Sequence, residues 1–330
     1  MFVVKGGLAM MSRTAETIYW LGRYMERIEN HARLINTCFH DYHEWSGCET
    51  ERRLHWQQLL HILGETDAYV ERSDLSGEQG LLYYLTLDDK QPNSILSCLS
   101  KARQNARSIR ERIPDFLWES VNETYHWLKG QDPISFSTVP PYLFYQHIKE
   151  KAALFFGIVD SSMLRQSEWH MLHCGRYVER AENMVRILRL IVDQYQKKVQ
   201  STNPSASYQY LITGLRAVDG LEGFRKFHAA DMSMANVFCF LMINEIFPRS
   251  VLFSLLLLEQ HLTIMKMSEK DFETSASKPF RMVKKLQGSL LDFSDDLTDT
   301  SQMEAFLQNL LISYNQLGRE FSKSFFCEEV

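Results

Sequence analysis

The chain has 330 residues, 45% of them apolar and 23% charged, which is enough apolar side chain to build a core and excludes a chain disordered throughout. Glycine and proline number only 15 and 8, so a sandwich or propeller of many short strands joined by tight turns is excluded as well. A net charge of −5 provides no global attraction to nucleic acid or to an anionic membrane.

Residues 1–11 read as a tail. Ser12 is placed to cap a first helix running toward Trp45, with Trp20, Leu21, Tyr24, Ile28 and Ile35 on one broad apolar face. Gly47 breaks the pattern, and a second helix is expected over Glu51–Val70. Ser73–Gly80 is a polar connection. Pro92 suits the first turn of the next helix, which runs to about Arg112, where Pro114 stops it. A shorter helix follows to about Lys129. Gln131–Pro141 holds three prolines and is the best linker.

A helical pattern resumes at Tyr142, and a long one covers about Ser161–Lys198. A polar break at Ser201–Ser207 precedes two or three further helices to about Ser268, and another break lies at Ser275–Pro279. Ser301 with Glu304 reads as a capping box opening the last helix, to about Phe325. Between Met234 and Leu258 the only charges are Glu245 and Arg249. Pro248 splits this stretch into runs of about 10 and 8 residues, the length of core helices rather than membrane spans. No period-2 strand set is present, so the fold class is all-α.

The pattern repeats internally. Gly22-Arg-Tyr-Met-Glu-Arg-Ile-Glu-Asn30 returns 153 residues on as Gly175-Arg-Tyr-Val-Glu-Arg-Ala-Glu-Asn183, identical at seven of nine positions, and Arg33 maps onto Arg186. Trp56–Tyr69 has a counterpart in Tyr210–Phe224, and Pro92-Asn93-Ser94-Ile95 in Pro248-Arg249-Ser250-Val251. Two tandem, pseudo-equivalent helical bundles are expected to pack into one unit. The first covers about 12–130 and the second about 161–270, with a C-terminal helical extension over about 280–326.

At 100° per residue, Arg23, Glu26, Arg27, Asn30 and Arg33 share one polar face opposite the apolar one. Arg176, Glu179, Arg180, Asn183 and Arg186 repeat the layout. Three readings are open. The face is solvated, with weak ion pairs; or the two faces meet as a buried Arg–Glu network, with Gly22 and Gly175 allowing close approach; or the arginines bind an anionic ligand or a partner's carboxylates. Arg103, Arg107 and Arg110 form a second basic face suited to the same use.

Standard enzyme signatures are missing. No Walker loop and no G-x-G-x-x-G occurs. The pairs His40/His43 and His170/His173 are too few for a metal site, and Glu123-x-x-His126 stands alone where a di-iron site needs two such units. Cys174 beside His173 is a conceivable nucleophile, but the first copy has Leu21 there, so a buried thiol is expected. No catalytic residue, metal or cofactor is assigned. The six cysteines are scattered without a C-x-x-C pair, and residues 1–10 are too short and weakly apolar for a secretory leader. Reduced thiols in a cytoplasmic setting are therefore expected.

The opening Met11-Ser-Arg-Thr-Ala-Glu16, the Tyr19-Trp-Leu-Gly-Arg-Tyr24 run and the Glu26-Arg27 pair resemble the alpha-E domain family, named for an all-α domain with a recurrent Glu-Arg motif. Ala102-Arg-Gln-Asn-Ala-Arg107 and Pro248-Arg-Ser-Val251 carry the same resemblance, which extends over the chain from Met11. It implies association with circularly permuted ATP-grasp ligases, transglutaminase-like peptidases and a proteasome-related peptidase, in making or processing a peptide-like amide product. The expected function is then an accessory helical protein that binds such a ligase or its acidic substrate. The alternatives are an enzyme with an Arg/Glu site between the repeats and a scaffold in which the motif is structural. The binding candidates are Arg23, Glu26, Arg27, Asn30, Arg33, Arg103, Arg107, Arg176, Glu179, Arg180, Asn183 and Arg186.

Overall fold

A computed structural model describes residues 12–44, 49–71, 75, 77–132, 141–200, 204–228, 231–268, 270–293 and 299–326. The expected tail, most of the proline-rich linker and residues 201–203 of the polar break lie outside these. The fold is all-α, and no strand occurs among the described residues.

In chain order the helices are α1 (Ser12–Glu44), α2 (Glu49–Leu63), α3 (Thr66–Val70), α4 (Gly77–Thr86), α5 (Ile95–Ser108), α6 (Asp115–Lys129), α7 (Pro141–Ser162) and α8 (Ser167–Gln200). They continue as α9 (Pro204–Ala217), α10 (Leu221–His228), α11 (Met234–Ile243), α12 (Val251–Ser268), α13 (Lys270–Ser275), α14 (Ser277–Phe293) and α15 (Thr300–Phe321). Two long helices, α1 and α8, pack along each other at the centre. Around α1 lie α5 and α7, with α6 touching both; around α8 lie α12 and α15, with α14 touching both.

The central position changes how α1 reads. Its expected polar face is not solvated: Arg23, Glu26, Asn30 and Arg33 are buried along with Ala15, Ile18, Leu21, Ile28 and Ile35. Trp20 and Tyr24, expected on the apolar face, are only partly buried. A helix wrapped by neighbours on several sides has no solvent face to which polarity can be assigned.

Several boundaries differ from the sequence expectation, each for a local reason. The second helix stops at Leu63, because Gly64 adopts φ +73°, Glu65 N–H donates to Leu60 O at 2.8 Å and Gly64 N–H to His61 O at 3.1 Å, a Schellman closure. α9 ends the same way: Gly220 N–H reaches Leu215 O at 2.8 Å, Asp219 N–H reaches Arg216 O at 3.0 Å, and Asp219 takes the left-handed position at φ +51°. Gly77–Thr86, not expected as a helix, forms α4 and buries Leu81, Leu82, Tyr84 and Leu85.

Pro92 does not open α5. Ser94 caps it, accepting from Ser97 N–H at 3.0 Å. Ser250 caps α12 in the same manner, accepting from Phe253 N–H at 3.0 Å. The basic run breaks after Ser108 into a 3-10 turn over Arg110–Arg112. Residues 163–166 separate α7 from α8, where one long helix from about Ser161 was expected. The last helix begins at Thr300, capped by Asp299 through Ser301 N–H at 2.8 Å, in place of the Ser301/Glu304 box. The apolar Met234–Leu258 stretch is divided between α11 and α12, and no described helix is long and apolar enough to cross a membrane.

Candidate functional site

The α1–α8 crossing is built on two glycines. A Cβ on Gly22 would collide with the carbonyl oxygen of Leu172, and one on Gly175 with that of Tyr19. Each helix therefore meets the other backbone to backbone, which only a residue without a side chain permits. This close approach carries the Glu-Arg motif of each helix onto that of the other.

Glu179 accepts from Arg23 Nε at 2.6 Å and from Arg27 Nε at 2.7 Å, with Arg27 Nη2 at 3.1 Å. In the reverse direction Glu26 accepts from Arg180 Nε at 2.6 Å and Nη2 at 2.9 Å, and Arg176 Nε lies 3.4 Å away. The two carboxylates are almost sealed from solvent, their side chains 2% and 3% exposed. Bidentate guanidinium–carboxylate pairing of this kind is the strong form of ion pair.

The segments ahead of α5 and α12 complete the arrangement. Arg27 Nη1 donates to Asn93 Oδ1 at 2.9 Å, and Arg180 Nη1 to Pro248 O at 3.2 Å. Glu182 accepts from Arg23 Nη2 at 2.7 Å and from Arg186 Nη2 at 2.7 Å. Its counterpart Glu29 is held instead by Arg249, at 2.9 and 3.1 Å, and by Arg33 at 3.3 Å. Arg33 also donates to Asn30 Oδ1 at 2.8 Å and to the carbonyl of Ala217. The Nδ2 groups of Asn30 and Asn183 are buried without an acceptor among the described residues.

Electrostatics follow this pairing. Burial alone would raise the pKa of Glu26 and Glu179, but the facing arginines outweigh it and hold both carboxyls below the usual range. Glu29 is likewise brought down to about 2 by Arg33 and Arg249 against the opposing effect of burial. Carboxylates pinned in the ionised state are poor proton donors or acceptors near neutral pH, so this geometry does not favour Glu26 or Glu179 as an acid/base. In Arg176 burial and the neighbouring Arg180 push the guanidinium pKa down.

One side of the crossing opens into a cleft of about 480 Å³. Its wall is a strip of α7 (Gln146, Lys149, Glu150, Ala153, Gly157, Asp160), and its floor is Glu26, Glu29, Arg176 and Arg180, with Asp219 and Arg249 beyond. The equivalent recess on the other side, lined by Arg27, His31, Asn93, Glu179, Glu182 and Arg186, is about 100 Å³.

Of the twelve binding candidates, ten converge on this crossing: Arg23, Glu26, Arg27, Asn30, Arg33, Arg176, Glu179, Arg180, Asn183 and Arg186. Arg103 and Arg107 do not join them. Arg103 packs between α5 and α6, bonded to Asn122 at 2.7 Å and lying over the rings of Trp118 and Tyr125. Arg107 is exposed, and Arg110 is carried off by the 3-10 turn to within 3.9 Å of Asp115.

Sequence reasoning missed Arg249, Asn93, Lys149, Asp160 and Asp219. The matched Pro92-Asn93-Ser94 and Pro248-Arg249-Ser250 segments were the one available signal for the first two. It also missed a buried aromatic group in which His170 Nδ1 lies 2.9 Å from His261 Nδ1, His173 stacks on His261 and His173 Nε2 sits 3.2 Å from Asp160. Cys174 is fully buried and its thiol pKa is pushed up by desolvation, which removes it as a nucleophile. Among the described residues no three His, Cys, Asp or Glu side chains converge as a metal site.

Comparison with known proteins gives a family but no described activity. A family model, Alpha-E, described as a predicted alpha-helical domain with a conserved ER motif, matches residues 10–326. Uncharacterized proteins of Mycobacterium bovis and Mycobacterium tuberculosis are 22% identical over 293 residues, covering 84% of this chain and 32% of the relative. The chain thus spans about a third of the length of these curated relatives. No solved structure matches. With the family model matching over residues 10–326, the chain belongs to the Alpha-E family.

Proposed function

We propose that this chain is an accessory helical protein acting with a circularly permuted ATP-grasp amide ligase, in the synthesis or processing of a peptide-like product. It would bind the ligase or its acidic substrate, with a transglutaminase-like peptidase as a further partner and a cytoplasmic setting. The observation that carries this reading is the relatives' length. In them the matched region is 32% of a longer chain, an arrangement suited to a domain that works beside another.

We further read the fold as two tandem pseudo-equivalent units. The reciprocal Gly22/Gly175 contacts, the Glu26–Arg180 and Glu179–Arg27 pairs, the Ser94 and Ser250 caps and the matching Schellman closures all support it. Because α14 and α15 stand to α8 as α6 and α7 stand to α1, the C-terminal helices belong within the second unit. On this reading the Glu-Arg network is the seam between the units. A scaffold in which the motif is purely structural is the second reading, favoured by the burial of both carboxylates.

The test is a pulldown with the ATP-grasp ligase encoded nearest this gene, using wild type and the Arg27→Ala/Arg180→Ala double variant, with circular dichroism as folding control. Wild type is expected to capture the ligase, and the double variant to lose cooperative unfolding before it loses a specific contact. Failure of the wild type to capture the ligase removes the partnership.

A further inference from the structure

The two halves of the network are not equivalent, and the difference falls on Arg176. Its counterpart Arg23 spends its donors on Glu179 and Glu182, at 2.6 and 2.7 Å. Arg176 has a single carboxylate oxygen of Glu26 at 3.4 Å. Its buried Nε makes no hydrogen bond. The cause lies at the matched segments. Where Asn93 stands in the first half, Arg249 stands in the second, and Arg249 takes Glu29, the carboxylate that Arg176 would otherwise hold. The guanidinium of Arg176 is instead stacked over the Phe156 ring, 3.7 Å from its centroid, so it is held in place while sharing the Glu26 carboxylate with Arg180. A buried donor left unpaired is costly, and the rest of the Arg176 side chain, 17% exposed, lines the 480 Å³ cleft.

The rest of the lining narrows the ligand. Lys149 has no ion-pair partner among the described residues and stands on the same cleft. Across the lining, Lys149, Arg176, Arg180 and Arg249 face Glu26, Glu29, Glu150, Asp160 and Asp219. Cations do not outnumber carboxylates, which disfavours a polyanion such as a nucleotide triphosphate. Glu26 and Glu29 are committed to arginines, and Asp160 already has Arg165 at 3.5 Å and His173 at 3.2 Å, whereas Glu150 is an exposed acid on the wall that accepts from the neutral Gln146 at 3.0 Å. Asp219, held at φ +51°, lies only at 3.6 and 3.7 Å from its arginines. The volume falls in the range of pockets for small molecules.

We propose that this cleft binds a zwitterionic amino acid or short acidic peptide, its carboxylate on Arg176 and Lys149 and its ammonium on Glu150 and Asp219. This deepens the substrate-holding side of the proposed function and rests on it for the peptide character of the ligand. Capture of the ligase is a separate readout, so a protein that binds the dipeptide below but not the ligase loses the partnership and keeps the site.

The experiment is isothermal titration calorimetry of the full chain near neutral pH with L-alanyl-L-glutamate. Succinate supplies carboxylates without ammonium, putrescine ammonium without carboxylate, and inorganic phosphate a simple anion. The dipeptide is expected to bind, with the three partial probes each at least about tenfold weaker, the effect of one lost charged hydrogen bond or pair. Arg176→Gln is expected to weaken the dipeptide at least about tenfold. Gly157→Leu is expected to abolish binding by filling the cleft, since a Cβ there meets nothing within 4 Å. Should Arg176→Gln fail to fold, Lys149→Gln and Gly157→Leu decide. No dipeptide binding by wild type up to ~10 mM, binding undiminished in the folded cleft variants, or phosphate binding as tightly as the dipeptide would each overturn the proposal.

Discussion

Arg180 grips Glu26 through two guanidinium nitrogens, at 2.6 and 2.9 Å, across 154 residues of sequence. Arg27 grips Glu179 in the opposite direction, at 2.7 and 3.1 Å. Each helix thus supplies both the anion and the cation of the seam. Neutralising one carboxylate leaves buried guanidinium charge uncompensated, so Glu179→Gln, which strands Arg27 and leaves Arg23 with Glu182 alone, is expected to cost about 3–5 kcal/mol. Urea unfolding followed by circular dichroism measures this. A loss below about 1 kcal/mol would mean that the seam does not hold the fold.

The helix crossing makes a second prediction. Gly22→Ala and Gly175→Ala each drive a methyl group into a carbonyl of the facing helix, an overpacking expected to cost about 1–3 kcal/mol or more despite alanine's better helix propensity. Gly288→Ala, in α14 with open space about its Cα, should stabilise by about 0.5–1 kcal/mol. Thermal melts of the three variants separate the effects, and equal responses would contradict the crossing geometry.

Acid should act in two stages. His170 is brought down to about 4, His261 to about 2 and His31 to about 3, in each case mainly by burial. The unfolded chain then binds more protons than the folded one below pH 6.5, so stability present above that pH is lost as pH falls toward these folded values. Below about pH 4.5 the lowered carboxyls of Glu26, Glu29 and Glu179 add a second loss with the same sign. His261→Phe keeps a ring against Trp169, His173 and Tyr177 and should flatten the stability profile from about pH 6.5 down toward about pH 2, leaving below about pH 4.5 the slope that the carboxyls supply. An unchanged upper stage would remove His261 as its source.

The second basic face should divide. Arg103→Ala loses a hydrogen bond to Asn122 and two ring contacts and is expected to destabilise by about 1–2 kcal/mol. The exposed Arg107 should tolerate alanine within about 0.5 kcal/mol. Denaturant midpoints of the two single variants test the split.

The amino-acid order by itself determined the all-α class, the existence of most long helices and the pairing of Gly22–Asn30 with Gly175–Asn183. Helical periodicity, proline position and self-similarity are local signals, and they survive without coordinates. The caps at Ser94 and Asp299, the Schellman turns and α4 were less legible, because a helix end is settled by which orphan backbone groups find partners. Only the tertiary structure decided whether the Glu-Arg face was solvated, paired or open, since an amphipathic pattern does not state what lies opposite it. Burial of Glu26 and Glu179 follows from two glycines that let α1 and α8 touch, and Arg249, 220 residues from Glu29 in sequence, is brought onto it only by the packing of the helices. Such a relation is set by packing in three dimensions, and no spacing along the chain encodes it.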